Sequence, residues 1–328
     1  GRAGARVFGW EALGFGVGGV LFGLVLVGRV PALLAMAGLA VVAAGAVPGL
    51  WMGRRRVIWG GLAGVTAAVA VMALVPRLER STLFGREALV SRDTVHSRVE
   101  VMGAAGQHDV YVDGLWAFSY PDPETVEWTV HPPLLIHDDP RRVLLIGGAV
   151  TGALAEVLAH PMVERVDAVE LDPRMVELAR EVLPAEATGA LADPRVVLHL
   201  TDGRAFVRGA SGPYDVVLLA VPDPKNAQLN RFYTEEFYGL CQRLLAEDGL
   251  LVTGVSGSAD MLGPTQAEYV AAVRSTLEER FDHVLTLPGA RVTFVAGQTE
   301  RLLDPDEMAE RLRQRGLQPL HVRPFDLP

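Results

Sequence analysis

The stretch Val143-Leu-Leu-Ile-Gly-Gly-Ala-Val-Thr-Gly152, followed by a carboxylate at Glu170, constrains this chain more than any other feature. An apolar run ends in a glycine turn, a helix-compatible segment follows from Ala153 to His160, and a second apolar run closes on Val169-Glu-Leu-Asp172. That order describes a βαβ unit with a ligand crevice at the carboxyl ends of its strands. Glycines let the backbone turn sharply and bring N–H groups close to a ligand, and an acid about twenty residues on can accept both hydroxyls of a ribose. The layout is that of a Rossmann-type nucleoside site. Ala149 stands where a full G-x-G-x-x-G motif has its middle glycine, so the neighbouring elements must carry part of the inference.

Those elements alternate. Strands are expected at 143–146, 165–169, 196–200, 214–219 and 249–255, with helices at 152–159, 173–183, 203–207 and 234–245 between them. Short apolar strands separated by amphipathic helices imply a parallel sheet covered on both faces. A helix at 264–280 and two β-prone runs, 284–287 and 292–296, add an antiparallel pair at one edge, as in class I methyltransferase-type sheets. The expected fold is α/β: this Rossmann-like sheet over 141–300, then a C-terminal helix (304–315) and tail over 301–328. Before it lies a small β-hairpin module with its linker over 95–140, built from 97–102, 109–112 and 115–120. A helix is expected at 124–136.

The first 76 residues read differently. Apolar runs at about 9–28, 30–52 and 57–75 each approach the ~20 residues a helix needs to cross a bilayer. Arg29 with Pro31, Arg54-Arg55-Arg56, and Pro76-Arg77 punctuate them, so three transmembrane helices with short loops are expected, followed by a charged connector over 77–94. Glu11 lies near the end of the first run and is not treated as an intramembrane functional acid. The chain begins at Gly1, which suggests a processed or truncated product. Arg2 and Arg6 share a side with the arginine triplet, giving five charges, against four (Arg29, Arg77, Arg80, Arg86) on the side of the α/β domain. This margin favours an external domain, whereas a cytoplasmic nucleoside favours the cytoplasm. The expectation adopted is a multi-pass inner (cell) membrane protein with the α/β domain on the cytoplasmic side.

A net charge of −9 and the lack of a basic face argue against a nucleic-acid partner. One cysteine, Cys241, excludes an internal disulfide and is expected in the core. The candidate nucleoside-binding residues are Gly147, Gly148, Gly152, Glu170, Asp202 and Gly203. Asp202 either accepts from an exocyclic amine or caps a helix. Asp223 and His131 are the candidate catalytic residues: His131 because an imidazole suits proton transfer near neutral pH, Asp223 as an acid in the loop 222–233. Each has a structural alternative, a helix-boundary histidine and a turn-forming Asp-Pro. No metal site is expected.

The motifs from Arg141 to Gly152, His160-Pro161, Val163-Glu164, Val169-Glu-Leu-Asp172, Asp193-Pro-Arg-Val196, Thr201-Asp-Gly203, Tyr214-Asp-Val216, Asp223-Pro224 and Phe232-Tyr-Thr-Glu-Glu-Phe-Tyr238 occur in an order that resembles spermidine synthase, the polyamine aminopropyltransferase family. The resemblance covers roughly 95–300 and is nearer to bacterial multi-pass, membrane-fused members. It implies a domain that binds decarboxylated S-adenosylmethionine and transfers its aminopropyl group to putrescine, with Glu170 on the ribose and Asp202 on the adenine side. The resemblance also exposes losses. The first acid of the family's Asp-Ser-Ser-Asp-Pro loop falls on Ala220, leaving Asp223 as the second. The acid of the glycine loop falls on Val150, the glutamine after the hairpin's Asp-Gly on Ala117, and a Tyr-His pair on Val130-His131. A buried ammonium without a carboxylate partner is costly, so a nucleoside half is expected to persist beside a weakened polyamine half.

Three functions remain open at this point: aminopropyl transfer to an altered amine acceptor from decarboxylated S-adenosylmethionine or S-adenosylmethionine; a non-catalytic ligand-binding or structural relative; and an S-adenosylmethionine-dependent methyltransferase. The expected partners are the lipid bilayer, a small amine, and either further copies of the chain or a membrane complex.

Overall fold

The computed structural model describes residues 82–83, 86–258, 261–300 and 304–323. The three apolar runs expected to cross a membrane lie outside the described residues, and among the described residues no helix is long and apolar enough to do so. These residues fall into two units, one ending at Met102 and including Val112–Gly114, the other comprising Gly103–Tyr111 and the chain from Leu115 onward.

In the first unit, β1 (Thr82–Leu83), β2 (Arg86–Asp93) and β3 (Arg98–Ala104) pair in antiparallel succession. Part of the stretch read as a connector is therefore strand. Its charged residues hid the pattern: Arg92 and Asp93 can sit in a ladder because one face of an antiparallel strand tolerates polar side chains. The Asp93 to Arg98 turn is closed by the Thr94 hydroxyl, which accepts from the amides of His96 and Ser97 at 3.0 Å.

The second unit starts with β4 (Gln107–Val112) and β5 (Leu115–Tyr120). From Pro123 to Ile136 the chain forms α1, with Asp122 as N-cap accepting from Thr125 N at 3.2 Å. The helix runs through Pro132 and Pro133 without breaking. Its buried C-terminal half is packed by Leu134, Leu135 and Ile136, and tertiary burial outweighs the two missing N–H donors.

Next come β6 (Arg142–Ile146), α2 (Ala153–Ala159), β7 (Arg165–Glu170), α3 (Pro173–Val182), α4 (Ala185–Gly189), a 3₁₀ turn at Ala190–Ala192, β8 (Val196–Leu200), α5 (Gly203–Gly209) and β9 (Tyr214–Leu219). The remainder is α6 (Ala227–Asn230), α7 (Glu235–Gln242), β10 (Leu245–Ser256), α8 (Pro264–Glu278), β11 (His283–Leu287), β12 (Arg291–Gly297) and α9 (Pro305–Gln314). The sheet order is β11-β12-β10-β9-β6-β7-β8. Strands β6 to β10 are parallel, while β12 runs antiparallel to both β10 and β11. Sequence patterning missed α4 and α6 because both are single turns too short to show a helical period, and it began β10 four residues late because a register shift between Leu245 and Leu250 interrupts the apolar run.

Apolar side chains cover both faces of the sheet. Leu144, Val217, Phe237, Tyr238, Leu251 and Leu277 belong to the core on the α5, α7 and α8 side; Val130, Leu134, Val143, Leu145, Leu154 and Val252 to the core on the α1 and α2 side. The alternation of Val143, Leu144 and Leu145 between these cores is the strand period of two made visible. Cys241 is buried among the first group, as expected for a small core residue.

Helix α9 packs on the C-terminal end of α1. Arg311 donates to the carbonyls of Leu135 (2.6 Å) and Ile136 (3.0 Å), and Arg315 to those of Leu134 (2.6 Å), His137 (3.0 Å) and Asp138 (3.0 Å). Helix α1 has no basic residue in its own last turn, so two arginines from far along the chain, Arg311 lying 175 positions beyond Ile136, satisfy its orphan carbonyls. The carboxylate of buried Glu127 accepts from the amides of Leu320, His321 and Val322 and ties the following segment to the same helix. Arg315→Met should therefore leave buried carbonyls without donors and cost about 2–4 kcal/mol of stability. Urea unfolding would read this as a lower midpoint with an unchanged slope.

Candidate functional site

Strand β6 has β7 on one side and β9 on the other, so the chain's progress across the sheet reverses at its carboxyl end. Open α/β sheets bind ligands at such a point. The turn after β6 occupies it. Gly147 and Gly148 have φ of +74° and +70°, and Gly152, the N-cap of α2, has φ of +103°. Conformation is one reason for glycine here, and crowding is the other. A Cβ on Gly147 would lie 2.7 Å from the Ala220 carbonyl oxygen, and one on Gly148 would lie 2.7 Å from the Ala220 Cβ. Thr151 closes the turn by donating its hydroxyl to the Gly148 carbonyl at 3.0 Å. Gly203 has a packing reason, because its Cβ would come within 2.8 Å of Ile146 Cγ2 and 3.1 Å of Phe232.

Register places the acids. Ile146 is level with Val169 on β7 and Leu219 on β9, and Glu170 with Leu200 on β8, so Gly147, Glu170, Asp202 and Ala220 follow one another along the carboxyl edge. Glu170 is partly buried and takes part in no ion pair among the described residues; its carboxylate accepts from Leu171 N at 3.0 Å. Burial raises its pKa to about 7, aided by the charge of Asp172 and opposed by the Leu171 and Asp172 amides. Asp202 caps α5 by accepting from Ala205 N at 2.9 Å, and its other oxygen pairs with the guanidinium of Arg231. Arg231 is held in turn by Gln228 O at 2.9 Å and lies over the Phe232 ring at 4.9 Å. The helix-cap role expected for Asp202 is thus present, with an arginine in addition.

Asp223 is similarly engaged. It is 8% exposed, accepts from Ser256 N at 3.0 Å, and lies 3.6 Å from Arg291. Arg291 also donates to the carbonyls of Val221 and Gly254, the latter shared with the Tyr233 hydroxyl at 3.1 Å. A carboxylate held by an amide and a guanidinium is a loop-fastening group before it is a proton acceptor.

His131 is not at the site. It is buried against α2, with Nδ1 3.0 Å from His160 Nε2 and Nε2 3.2 Å from Glu156. Helix α2 starts at Gly152 on the carboxyl edge, and His160 follows its far end, where the chain turns back toward the start of β7. The α1 residue that faces the glycine turn is Val126, whose Cγ2 is 4.0 Å from a Cβ built on Gly152; Tyr120 approaches the same point to 3.7 Å. Five residues further along a helix mean about 7.5 Å of rise and a different face, so His131 belongs to the α1–α2 seam. Burial, with the nearby His131 and Arg315, lowers the His160 pKa to about 2, so His160 serves this seam as a neutral, structural imidazole.

Val150, in the glycine turn itself, is 1% exposed and packs with Val176, Ala179, Leu183 and Ala187, with Phe118 and Tyr120 against the same cluster. Two residues that sequence reasoning did not single out, Arg231 and Arg291, turn out to govern the charge of this edge. No spacing signal could have identified them, since each meets its acid through the folded sheet. Among the described residues no group of three or more His, Cys, Asp or Glu is arranged to hold a metal.

The raised pKa of Glu170 has a sign that can be measured. A carboxyl group whose folded pKa exceeds its unfolded value favours the folded state below about 4.5 and loses that contribution as pH rises through about 7. Glu170→Gln should therefore melt a few degrees higher than the parent at pH 8, with the difference vanishing below pH ~5. An equal gain at both pH values would show that burial of the charge is not the cause.

A family model for the spermine/spermidine synthase domain matches residues 124–286. Among curated proteins, the polyamine aminopropyltransferase of Korarchaeum cryptofilum is 43% identical over 131 residues, an alignment that spans only 40% of this chain and 40% of that protein. That of Pyrobaculum calidifontis is 33% identical over 201 residues, 58% of this chain and 69% of the relative, and polyamine aminopropyltransferase 1 of Pseudomonas aeruginosa is 34% identical over 218 residues, 62% and 74%. A solved spermidine synthase in complex with the transition-state analogue AdoDATO superposes with a TM-score of 0.64 at 23% identity, covering 74% of this chain and 83% of that one. The Thermotoga maritima spermidine synthase gives 0.61 at 23%, covering 73% and 81%. These two share the fold. On the sequence matches and this architecture together, the chain belongs to the spermidine synthase, or polyamine aminopropyltransferase, family.

Proposed function

We propose that this protein is a membrane-tethered, spermidine-synthase-like transferase domain that binds an S-adenosylmethionine-type nucleoside, decarboxylated S-adenosylmethionine first among them, at the carboxyl edge of β6 and β7. Glu170 carries this proposal: it is the acid of that edge without an ion pair among the described residues, and it stands beside the left-handed glycine turn at the carboxyl ends of the strands, where open α/β sheets bind ligands. On this view Glu170 holds the ribose, the turn at Gly147, Gly148 and Gly152 passes close to the nucleoside, and Asp202 with Gly203 borders the base.

In aminopropyl transfer an amine nitrogen forms a bond to the propyl carbon next to sulfonium, the carbon–sulfur bond breaks, and methylthioadenosine leaves as a neutral thioether. The attacking ammonium must first lose a proton. Ala220 offers no acceptor for it, so the proton would pass to solvent, and Asp223 is already engaged by Ser256 N and Arg291. These features support slow transfer with a poor fit for a diamine dication, or a non-catalytic, nucleoside-binding relative in a membrane complex. Tethering by the three N-terminal apolar runs and a cytoplasmic position for the domain belong to the same proposal, supported by the sequence pattern and by the cytoplasmic origin of such nucleosides.

Calorimetry on the full chain in detergent, with decarboxylated S-adenosylmethionine, S-adenosylmethionine and methylthioadenosine, tests the nucleoside site. Binding of the decarboxylated donor is expected, and Glu170→Gln should weaken it about 10- to 100-fold, the scale of a pair of charge-assisted hydrogen bonds. No binding of any nucleoside would reject the reading; preference for the carboxylated donor together with methyl transfer would point to a methyltransferase. Ala220→Asp should raise the rate of aminopropyl transfer to an amine if the end of β9 faces the acceptor, measured as methylthioadenosine release. Val150→Asp is expected only to destabilise the domain, by about 3 kcal/mol or more, because it buries a charge in an apolar cluster.

A further inference from the structure

Each of the two acids at the edge of the site other than Glu170 is matched by an arginine, Asp202 by Arg231 and Asp223 by Arg291. The second pair bears on the acceptor. Asp223 follows Ala220 by three residues in the loop after β9, and its carboxylate is the one acid of that segment. Arg291, the first residue of β12, reaches across β10 to it; its side chain is 19% exposed and its guanidinium also binds the carbonyls of Val221 and Gly254, so its position is fixed from three sides. Among the described residues this pair has no second carboxylate in an ion pair with it, and its neighbours are neutral: the Tyr233 hydroxyl donates to the Pro222 carbonyl and the Gln266 amide to Ser256 O at 3.2 Å. A cation entering here would meet a carboxylate already neutralised and a fixed guanidinium beside it, and like charges at such range repel.

Resting on the nucleoside-site reading above, we propose that Arg291 is a specificity-determining residue that closes the acceptor side to dicationic amines and restricts it to acceptors bearing at most one positive charge, such as amino alcohols or zwitterionic amines. Charge balance supplies the reason. With Asp223 and Arg291 summing to zero, the pair offers no unpaired carboxylate to an ammonium, so each positive charge an acceptor brings adds repulsion from Arg291 and a dication suffers it twice.

The test uses the full chain in detergent and two ligands of equal length, putrescine and 4-amino-1-butanol, titrated with and without methylthioadenosine. The native protein should bind the amino alcohol at least as tightly as the diamine. Arg291→Gln keeps an amide donor for the Val221 and Gly254 carbonyls while removing the charge, and should raise putrescine affinity about tenfold or more relative to the amino alcohol, the worth of one charge-assisted contact. Adding Asp223→Asn to Arg291→Gln should erase that gain. A native preference for putrescine of about tenfold or more overturns the proposal whether or not the variant folds. So does an unchanged ratio in a variant whose melting and methylthioadenosine affinity are native. Absence of methylthioadenosine binding by the native chain defeats the nucleoside reading, and is seen separately from the amine ratio measured without nucleoside.

Discussion

The Ala220 carbonyl and Cβ press against the turn after β6 so closely that no side chain fits at Gly147 or Gly148. Most of the architecture serves this contact. β9 must pair directly with β6, so that Ala220 N can donate to Ile146 O at 2.9 Å, while β7 on the other side lets Gly147 N donate to Val169 O at 2.9 Å. The turn is pinned between two strand ends, with a left-handed backbone that leaves its amides at the mouth of the crevice. A residue with any Cβ would force β6 and β9 apart and displace the crevice with them.

Around that turn the polar groups divide by what they face. Near the amino edge and the α1–α2 seam they are consumed structurally: His131 meets His160 and Glu156, and Arg311 and Arg315 cap α1. At the carboxyl edge all three acids accept from amides; Asp202 and Asp223 are also paired with arginines, and Glu170, without one among the described residues, has its pKa raised by burial. The edge thus presents hydrogen-bond acceptors among charges that are largely paired.

Resemblance to the family set Val150 opposite an acid, and in the folded chain Val150 sits in an apolar cluster with Val176 and Ala179 that suits a valine. His131 shows the reverse. Its chemistry made it attractive as a base, but a residue's type says nothing of helical phase, and Val126 is the side chain that α1 turns toward the glycine turn. The strands 196–200 and 214–219 were legible because short apolar runs rich in valine and leucine between turn residues are strong local signals; α4 and α6 were not, because a single turn carries no periodicity.

From its order of residues alone, the chain specifies a doubly covered α/β sheet, the glycine turn at its carboxyl edge and Glu170 at the next strand end, since each of these rests on local pattern. Tertiary structure decided which polar groups are available. Arg231 reaches Asp202 across 29 positions, and Arg291 approaches Asp223 only because β12 folds back antiparallel beside β10. Charge compensation acts through space over a few ångströms, and only the folded sheet brings those residues within that range.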